Sequence, residues 1–254
     1  MKKQIVPRLF MYLGILLFFE GCSPRTWTVG SSKIDQSVDA TPQKMYRFDY
    51  LASYDYNISE VDSVTERRLV LSSSNNPNYY IEVSEKDSLT YTADFFDQDK
   101  IYSTFSLPKE YFVRAKSIKL ECKSVLVNRN YHKFQTENYA FSRMGDTLLA
   151  GDSFARYKFS NVALPEKVLK RKKIGTNYYI VENDTEFHLP LFKHPTAYEE
   201  YKKEGNVPNG ILKSLYFVRY GTTDKQFVYI LRAYKKINLV LQIEDGCDFY
   251  STKQ

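Results

Sequence analysis

The sequence predicts a mainly β protein, either an antiparallel β sandwich or an open, strongly curved sheet of the half-barrel kind, with one short helix. Three observations support this fold class. Apolar and polar side chains alternate with a period of two in several segments. The 22 tyrosines and 17 phenylalanines favour strands, where rings pack on a pleated surface. Long helical patterns between the strands are absent, which excludes a parallel α/β architecture.

The first residues have the layout of a secretion signal. Lys2, Lys3 and Arg8 precede an uncharged apolar run from Leu9 to Phe19. A helix that crosses a ~30 Å hydrocarbon core needs about 20 residues, and this run is much shorter. It can therefore engage the secretion machinery but cannot remain as an anchor.

Gly21 and Cys22 follow this run directly. They resemble the lipobox of bacterial lipoproteins, in which a small residue precedes the cysteine that receives diacylglycerol; Phe19 and Glu20 depart from the usual order. The resemblance covers residues 1–22 and implies cleavage before Cys22, lipidation of Cys22 and durable membrane attachment, because several acyl chains bind far more tightly than one. An ordinary signal peptide with a chance cysteine is the alternative.

The segment after the cysteine resembles a tether. Residues 23–27 include no acidic residue, whereas some outer-membrane lipoproteins carry an acidic cluster there as an export tag for the outer face. The resemblance therefore implies an outer-membrane lipoprotein that faces the periplasm. The sequence predicts a signal peptide at 1–21, a flexible lipid-anchored tether at 22–45 and a β-rich domain at 46–254.

Strands are predicted along most of that domain. Residues 66–107 read as a meander, because alternating segments are separated by turn formers at 75–78 and 97–100. The alternation continues where Ile118, Leu120 and Cys122 share one face. It returns in the segments 215–220, 227–234 and 237–243, which are predicted to form a final hairpin that closes the sheet.

One helix is predicted, near residues 196–204. Thr196 and Glu199 have the spacing of a capping box, Tyr198 and Tyr201 lie three residues apart, and Gly205 stands where the helix would end. Because the helix is so short, we expect a surface lid or connector and not a layer of the core.

The charge of the chain argues against a nucleic-acid partner. Removal of the predicted signal peptide, which holds Lys2, Lys3, Arg8 and Glu20, lowers the formal net charge from +6 to +4. A nucleic-acid protein would concentrate far more basic charge on one face. The dense basic run at 167–173 is interpreted as a solvated connector, with contact to anionic lipid headgroups as the alternative.

Acylation of Cys22 would leave two cysteines, Cys122 and Cys247. An oxidising periplasm permits them to form a disulfide bond. Two cysteines do not establish a pairing by their spacing, so the sequence leaves this question open.

The enzymatic candidate with the most residues in place is Gly151, Asp152 and Ser153. It resembles the nucleophile block of the GDS-type esterases, in which a distant histidine activates the serine. The chain lacks that family's glycine before Asn183 and Asp184, and its Asp–His spacing is also different. The segment is therefore predicted to be a turn, with a serine hydrolase as the least favoured alternative.

Cofactors and metals have no convincing ligand set in the sequence. His132, His188 and His194 are the only histidines, and no pair has a metal-binding spacing. The acidic pairs Asp97 with Asp99 and Asp245 with Asp248 are interpreted as turn residues. We predict no catalytic residue, no metal and no cofactor.

The predicted function is non-catalytic binding. The sequence indicates an envelope lipoprotein that binds an apolar or glycan ligand, or a partner protein, on one concave aromatic surface. Such a protein would resemble the half-barrel lipoprotein carriers of the periplasm at the level of fold alone. Tyr80 and Tyr179 are the candidate lining residues, because each follows another tyrosine on a strand. The alternative is a structural subunit of an outer-membrane complex.

Overall fold

The computed structural model of the protein describes residues 27–29, 43–99, 101–128, 133–182, 188–189, 191–205 and 210–244. The predicted signal peptide, Cys22, His132, Asp184 and Cys247 lie outside the described residues, and so do most of the residues predicted as tether.

Within these residues, thirteen strands make up a single sheet. In chain order they are β1 (Trp27–Val29), β2 (Gln43–Ser59), β3 (Glu66–Ser73), β4 (Asn76–Glu85), β5 (Thr90–Asp97), β6 (Ile101–Pro108), β7 (Ser117–Leu120), β8 (Leu126–Val127), β9 (Tyr139–Leu149), β10 (Asp152–Asn161), β11 (Gly175–Glu182), β12 (Ile211–Arg219) and β13 (Lys225–Glu244). The described helices are α1 (Lys109–Arg114), α2 (Glu166–Arg171) and α3 (Pro195–Glu204), with 3₁₀ turns at Cys122–Ser124 and Lys133–Asn138.

The sheet is open and mainly antiparallel, which confirms the predicted fold class. Its strands follow the order β8-β6-β5-β4-β3-β2-β13-β12-β11-β10-β9, so β8 and β9 are the two ends. Two parallel pairings lie off this path, between β7 and β13 and between β1 and β7. The meander predicted over residues 66–107 is present as β3–β6.

The long strands β2 and β13 form the centre of the sheet. They pair from Gln43 with Glu244 to Ser59 with Gln226. The two strands predicted at 227–234 and 237–243 are therefore one strand, bent by irregularities between Leu231 and Ala233 and between Lys236 and Leu239. The final hairpin does not close an edge, because β2 occupies the free side of β13.

The apolar core has two parts. The first cluster lies where α3 packs against the sheet and contains, among others, Tyr50, Phe159, Tyr179, Phe192, Tyr198 and Leu231. The second cluster lies between the meander, β7 and the C-terminal part of β13 and contains, among others, Phe48, Leu71, Phe95, Leu120 and Leu241. Consecutive residues Val70 and Leu71 belong to different clusters, so β3 is covered on both faces.

Helix α3 differs from its prediction at its start and in its role. Its N-cap is His194, and Pro195 occupies the first turn, where a fixed φ and a missing N–H are tolerated. The predicted capping box at Thr196 is wrong: the N-cap lies two residues earlier, and Thr196 is fully buried. Gly205 ends the helix with a φ of 63°, as predicted.

The helix is also part of the core and not a surface lid. Ala197 and Tyr198 are buried in the first cluster, and Tyr201 packs against it. The six-residue helices α1 and α2 were not predicted. Neither is long enough for a repeat of period 3.6 to stand out from its surroundings.

A short strand lies within the segment predicted as tether. β1 pairs in parallel with β7, Trp27 opposite Ile118 and Val29 opposite Leu120. β2 then begins at Gln43, slightly before the predicted domain start at residue 46. The ordered sheet thus includes residues on the N-terminal side of the predicted boundary.

Candidate functional site

A cavity of about 350 Å³ lies against the sheet where β2, β11, β12 and β13 run side by side. Its lining is mostly aromatic and consists of Tyr56, Asn177, Tyr179, Lys193, His194, Leu215, Tyr216, Phe217, Phe227 and Tyr229. We call this cavity the aromatic cleft.

The register of the strands explains why these side chains meet. Tyr179 pairs with Leu215, Leu215 with Tyr229, and Tyr229 with Tyr56, so one row crosses four strands. Directly paired residues in a sheet point to the same face. Period-two alternation within each strand thus places three tyrosines and one leucine side by side on the floor of the cleft.

Phe227 occupies an unusual backbone conformation at this cleft. β12 and β13 fall out of register between the pairs Leu215–Tyr229 and Phe217–Gln226, and Phe227 lies in the resulting bulge. Its φ is 51°, its side chain is 49% exposed, and its ring centroid lies 6.4 Å from that of Phe217. A left-handed conformation is a clear outlier for a bulky residue. Such strain costs of the order of 1–3 kcal/mol and clusters at functional sites.

Gly175 provides the space for the second ring of this pair. A Cβ atom at Gly175 would lie 2.3 Å from the Phe217 ring and 2.3 Å from the carbonyl oxygen of Val218. The Phe217 side chain therefore lies directly over the backbone of β11. Only glycine permits this approach without displacement of the ring or the strand.

A polar trio of Lys193, Tyr229 and Glu82 lies at one side of the cleft, and its first two members line the cavity. The Lys193 ammonium donates to Glu82 and to the hydroxyl of Tyr229, which donates in turn to Glu82 at 2.9 Å. The Lys193 Nζ also lies 4.0 Å from the centroid of the Tyr229 ring. The charge of Lys193 is thus compensated, and the cleft offers a ligand mainly ring surface.

Burial governs the protonation of this trio. Desolvation lowers the pKa of Lys193, and the nearby Glu82 carboxylate opposes that shift. Desolvation, followed by the Glu82 charge, raises the pKa of Tyr229. Tyr229 therefore stays a neutral hydrogen-bond donor at physiological pH.

The two predicted lining residues are separated by the fold. Tyr179 is 1% exposed and lines the cleft. Tyr80 is also buried, but it stacks on Phe96 at 5.0 Å within the first cluster and does not line the cleft. Sequence reasoning missed Phe217 and Phe227; their position on either side of the turn at 221–224 was the available signal.

The segment that resembles an esterase nucleophile block is a tight hairpin. Leu149 pairs with Asp152, so Ala150 and Gly151 form a two-residue turn with φ values of 53° and 97°. This pattern is typical of a type I′ turn and agrees with the predicted turn. Ser153 is exposed on β10.

The remaining candidate residues that the structure describes form bonds within the fold. Cys122 begins a 3₁₀ turn directly after β7 and is disulfide-bonded, with a partner outside the described residues. His188 is 2% exposed, and its Nε2 lies 3.1 Å from the Ser72 hydroxyl. Asp97 is buried and accepts hydrogen bonds from Tyr46 and Asn78.

The described ranges contain neither a cluster of metal-binding side chains nor a helix suited to cross a membrane. No group of three or more His, Cys, Asp or Glu side chains there could hold a metal ion. None of the helices that the structure describes combines the length and the apolar character that a membrane crossing needs.

Comparison with known proteins leaves the chain without an assigned family. No protein-family model matches it, and no curated protein matches its sequence. One crystal structure that aligns with it is a domain from Vibrio parahaemolyticus that is named for outer membrane lipoprotein sorting. That alignment has 7% identity and a TM-score of 0.28, and it covers 74% of this chain and 85% of the other. The structural similarity between the two chains is therefore low.

Proposed function

We propose that this protein is an envelope lipoprotein, held on the periplasmic face of the outer membrane by lipid on Cys22, whose β domain binds an apolar ligand in the aromatic cleft. The observation that carries the proposal is Phe227. A half-exposed ring is held in a strained backbone at the edge of a cavity. Strain of this kind persists only where the surrounding structure or a function requires it.

The chemistry of the cleft favours an apolar ligand. Its volume of about 350 Å³ falls within the range of small-molecule pockets, and its rings provide a large apolar surface. Burial of apolar area contributes roughly 25 cal/mol per Å², so an acyl chain or similar group gains most from such a lining. Because the charge of Lys193 is compensated by Glu82, an anionic group gains little here.

Native mass spectrometry of the full-length protein, after gentle extraction from membranes, tests the proposal. We expect an additional mass that corresponds to a lipid-like molecule and that is lost in Phe217→Ala. Tyr111→Ala is the matched control, because Tyr111 is a half-exposed ring on α1, outside the cleft lining.

Other results would overturn this assignment. A bound sugar in place of a lipid would make the protein a glycan binder. A co-purifying protein with an empty cleft would favour the structural subunit of an outer-membrane complex. Retention of the lipid in Phe217→Ala would show that the ligand binds outside the aromatic cleft.

A further inference from the structure

The opposite face of the same strands carries a second, larger cavity of about 610 Å³. Ile180 follows Tyr179 along β11, so consecutive residues line the two cavities from opposite faces of the sheet. A second row of paired residues crosses this face, from Arg156 to Ile180, Ser214 and Ile230. We call this cavity the basic trough.

Three cations line the basic trough, and two of them have carboxylate partners. Lys213 pairs with Glu182 at 3.0 Å, and Lys225 pairs with Glu60 at 2.6 Å. The Nε of Arg156 is buried and has no hydrogen-bond partner within the described part of the chain. The trough therefore has a net positive charge that is centred on Arg156.

Arg156 lines the trough without a carboxylate partner among the described residues, so its charge is open to an anionic ligand. Its Nε is covered by the protein, and a ligand would contact the other guanidinium nitrogens. The planar fork of arginine binds phosphate and carboxylate groups through two parallel hydrogen bonds. Hydroxyls of Thr147 and Ser214 in the same lining can supply further donors. A phosphate has more acceptor oxygens than a carboxylate and so uses this donor set more fully.

The rest of the trough is apolar. Ile180 and Val228 are buried in its floor, and Leu149 lies at its β9 side. Ile230 also lines it and remains 46% exposed, which is a large fraction for an isoleucine in the middle of a sheet. A ligand with both an anionic group and an apolar chain would cover Arg156 and this surface together.

We propose that the basic trough binds a phosphate-bearing lipid, with the phosphate on Arg156 and the start of its acyl chain on Ile180 and Ile230. This site differs from the aromatic cleft in chemistry and lies on the other face of the sheet, with Tyr216 in the lining of both. The same phosphate chemistry could come from a free phosphate ion, so the test has to separate the two sources.

Titration calorimetry of the full-length protein in neutral detergent makes this separation. The probes are dihexanoyl phosphatidic acid and inorganic phosphate. We expect the lipid to bind at least about tenfold more tightly than phosphate, because only the lipid adds burial of apolar surface. Arg156→Gln should weaken lipid binding at least about tenfold, and Arg156→Lys should recover only part of it, because lysine keeps the charge but not the fork.

Lys158→Gln is the matched control, because it removes the same charge as Arg156→Gln. Lys158 lies two residues further along the same strand and is not part of the trough lining. It should leave lipid binding unchanged. If circular dichroism shows that Arg156→Gln does not fold, Lys225→Gln replaces it as the variant that removes a positive charge from the trough. Equal affinity for lipid and phosphate, or equal losses in Lys158→Gln and Arg156→Gln, would overturn the proposal.

Discussion

At the scale of single residues, the backbone of Phe227 couples stability to binding. A residue other than glycine pays about 1–2 kcal/mol for a left-handed conformation, and glycine avoids that cost. Because both variants lack the ring and only glycine avoids the strain, Phe227→Gly should have a free energy of unfolding about 1 kcal/mol higher than Phe227→Ala, as measured in urea. Both should lower lipid retention in native mass spectrometry.

Lys173→Gly is the control for this prediction, because Lys173 has a φ of 54° in the exposed turn after α2. Lys173→Gly should likewise be more stable than Lys173→Ala, and neither variant should lose binding. A Phe227→Gly protein that keeps its ligand would show that the strain serves another purpose.

The buried histidine His188 makes stability depend on pH. Burial lowers the pKa of His188 to about 4, below its ordinary value of 6.5. Between these values the unfolded state binds a proton that the folded state does not, so stability is full above about pH 6.5 and falls as the pH decreases towards 4. The loss is of the order of 2–3 kcal/mol.

Urea unfolding of the wild type and His188→Gln at pH 7, 5.5 and 4.5 checks this expectation. Carboxylates contribute to acid destabilisation in both proteins, so the difference between them isolates the histidine. We expect His188→Gln to be less stable at pH 7, because its contact with Ser72 is altered, but to lose less stability on acidification. Parallel losses in the two proteins would contradict the assignment.

At the scale of elements, the contact between β11 and β12 depends on Gly175. Because an added Cβ would clash with the Phe217 ring and a backbone oxygen, Gly175→Ala should cost about 1–3 kcal/mol of stability, as overpacking does. The same change should displace Phe217 and weaken ligand retention. Gly145→Ala on β9 is the matched control, since nothing lies within 4 Å of the Cβ position there. A Gly175→Ala protein with wild-type stability would mean that the ring moves freely.

Elements that form through interactions between residues close in sequence were predicted, and features that depend on residues distant in sequence were not. The meander β3–β6 and the end of α3 at Gly205 depend on neighbours in sequence, and both were predicted. The start of α3 was not, because burial of Thr196 against the sheet and the proline at 195 override the local capping pattern. The central place of β13 depends on β2, which lies far away in the chain.

At the scale of the whole molecule, strand direction supports a disulfide between Cys122 and Cys247. β7 and β13 are parallel, and Leu120 pairs with Ile243. In the sequence, Cys122 follows Leu120 by two positions and Cys247 follows Ile243 by four, so we expect the two thiols within reach of each other. In the sequence Cys22 precedes β1, whose first residue, Trp27, pairs with Ile118. In the chain-entropy model a bond that closes so long a loop contributes roughly 4–5 kcal/mol.

Peptide mapping without reductant tests this pairing. We expect a Cys122–Cys247 peptide, and Cys247→Ser should lower the unfolding midpoint and leave one alkylatable thiol. A Cys22–Cys122 peptide would contradict both the pairing and the proposed lipid anchor, because an acylated cysteine cannot form that bond.

Membrane attachment is likewise a property of the whole chain. If Cys22 carries the lipid, Cys22→Ala should abolish incorporation of radiolabelled palmitate and leave the protein uncleaved or soluble. Cys247→Ser is the control and should be labelled normally. Labelling that persists in Cys22→Ala would place the lipid elsewhere or make the leader an ordinary signal peptide.

The sequence by itself determined the mainly antiparallel fold, the meander, the hairpin at Ala150 and Gly151 and the end of α3. Each of these follows from a local rule, either the period-two alternation of strands or the backbone preference of glycine. These rules depend on a few consecutive residues, so they can be read without knowledge of the partners of a strand.

Only the tertiary structure decided where the two cavities lie. Alternation assigns side chains to one of two faces but does not say which strands are neighbours, and register sets which rings and charges meet. Tyr80 and Tyr179 look alike in sequence, yet only Tyr179 reaches the aromatic cleft, because β11 and not β4 lies beside β12. Arg156, Lys213 and Lys225 come from three strands, and their meeting in one trough depends on pairings distant in sequence.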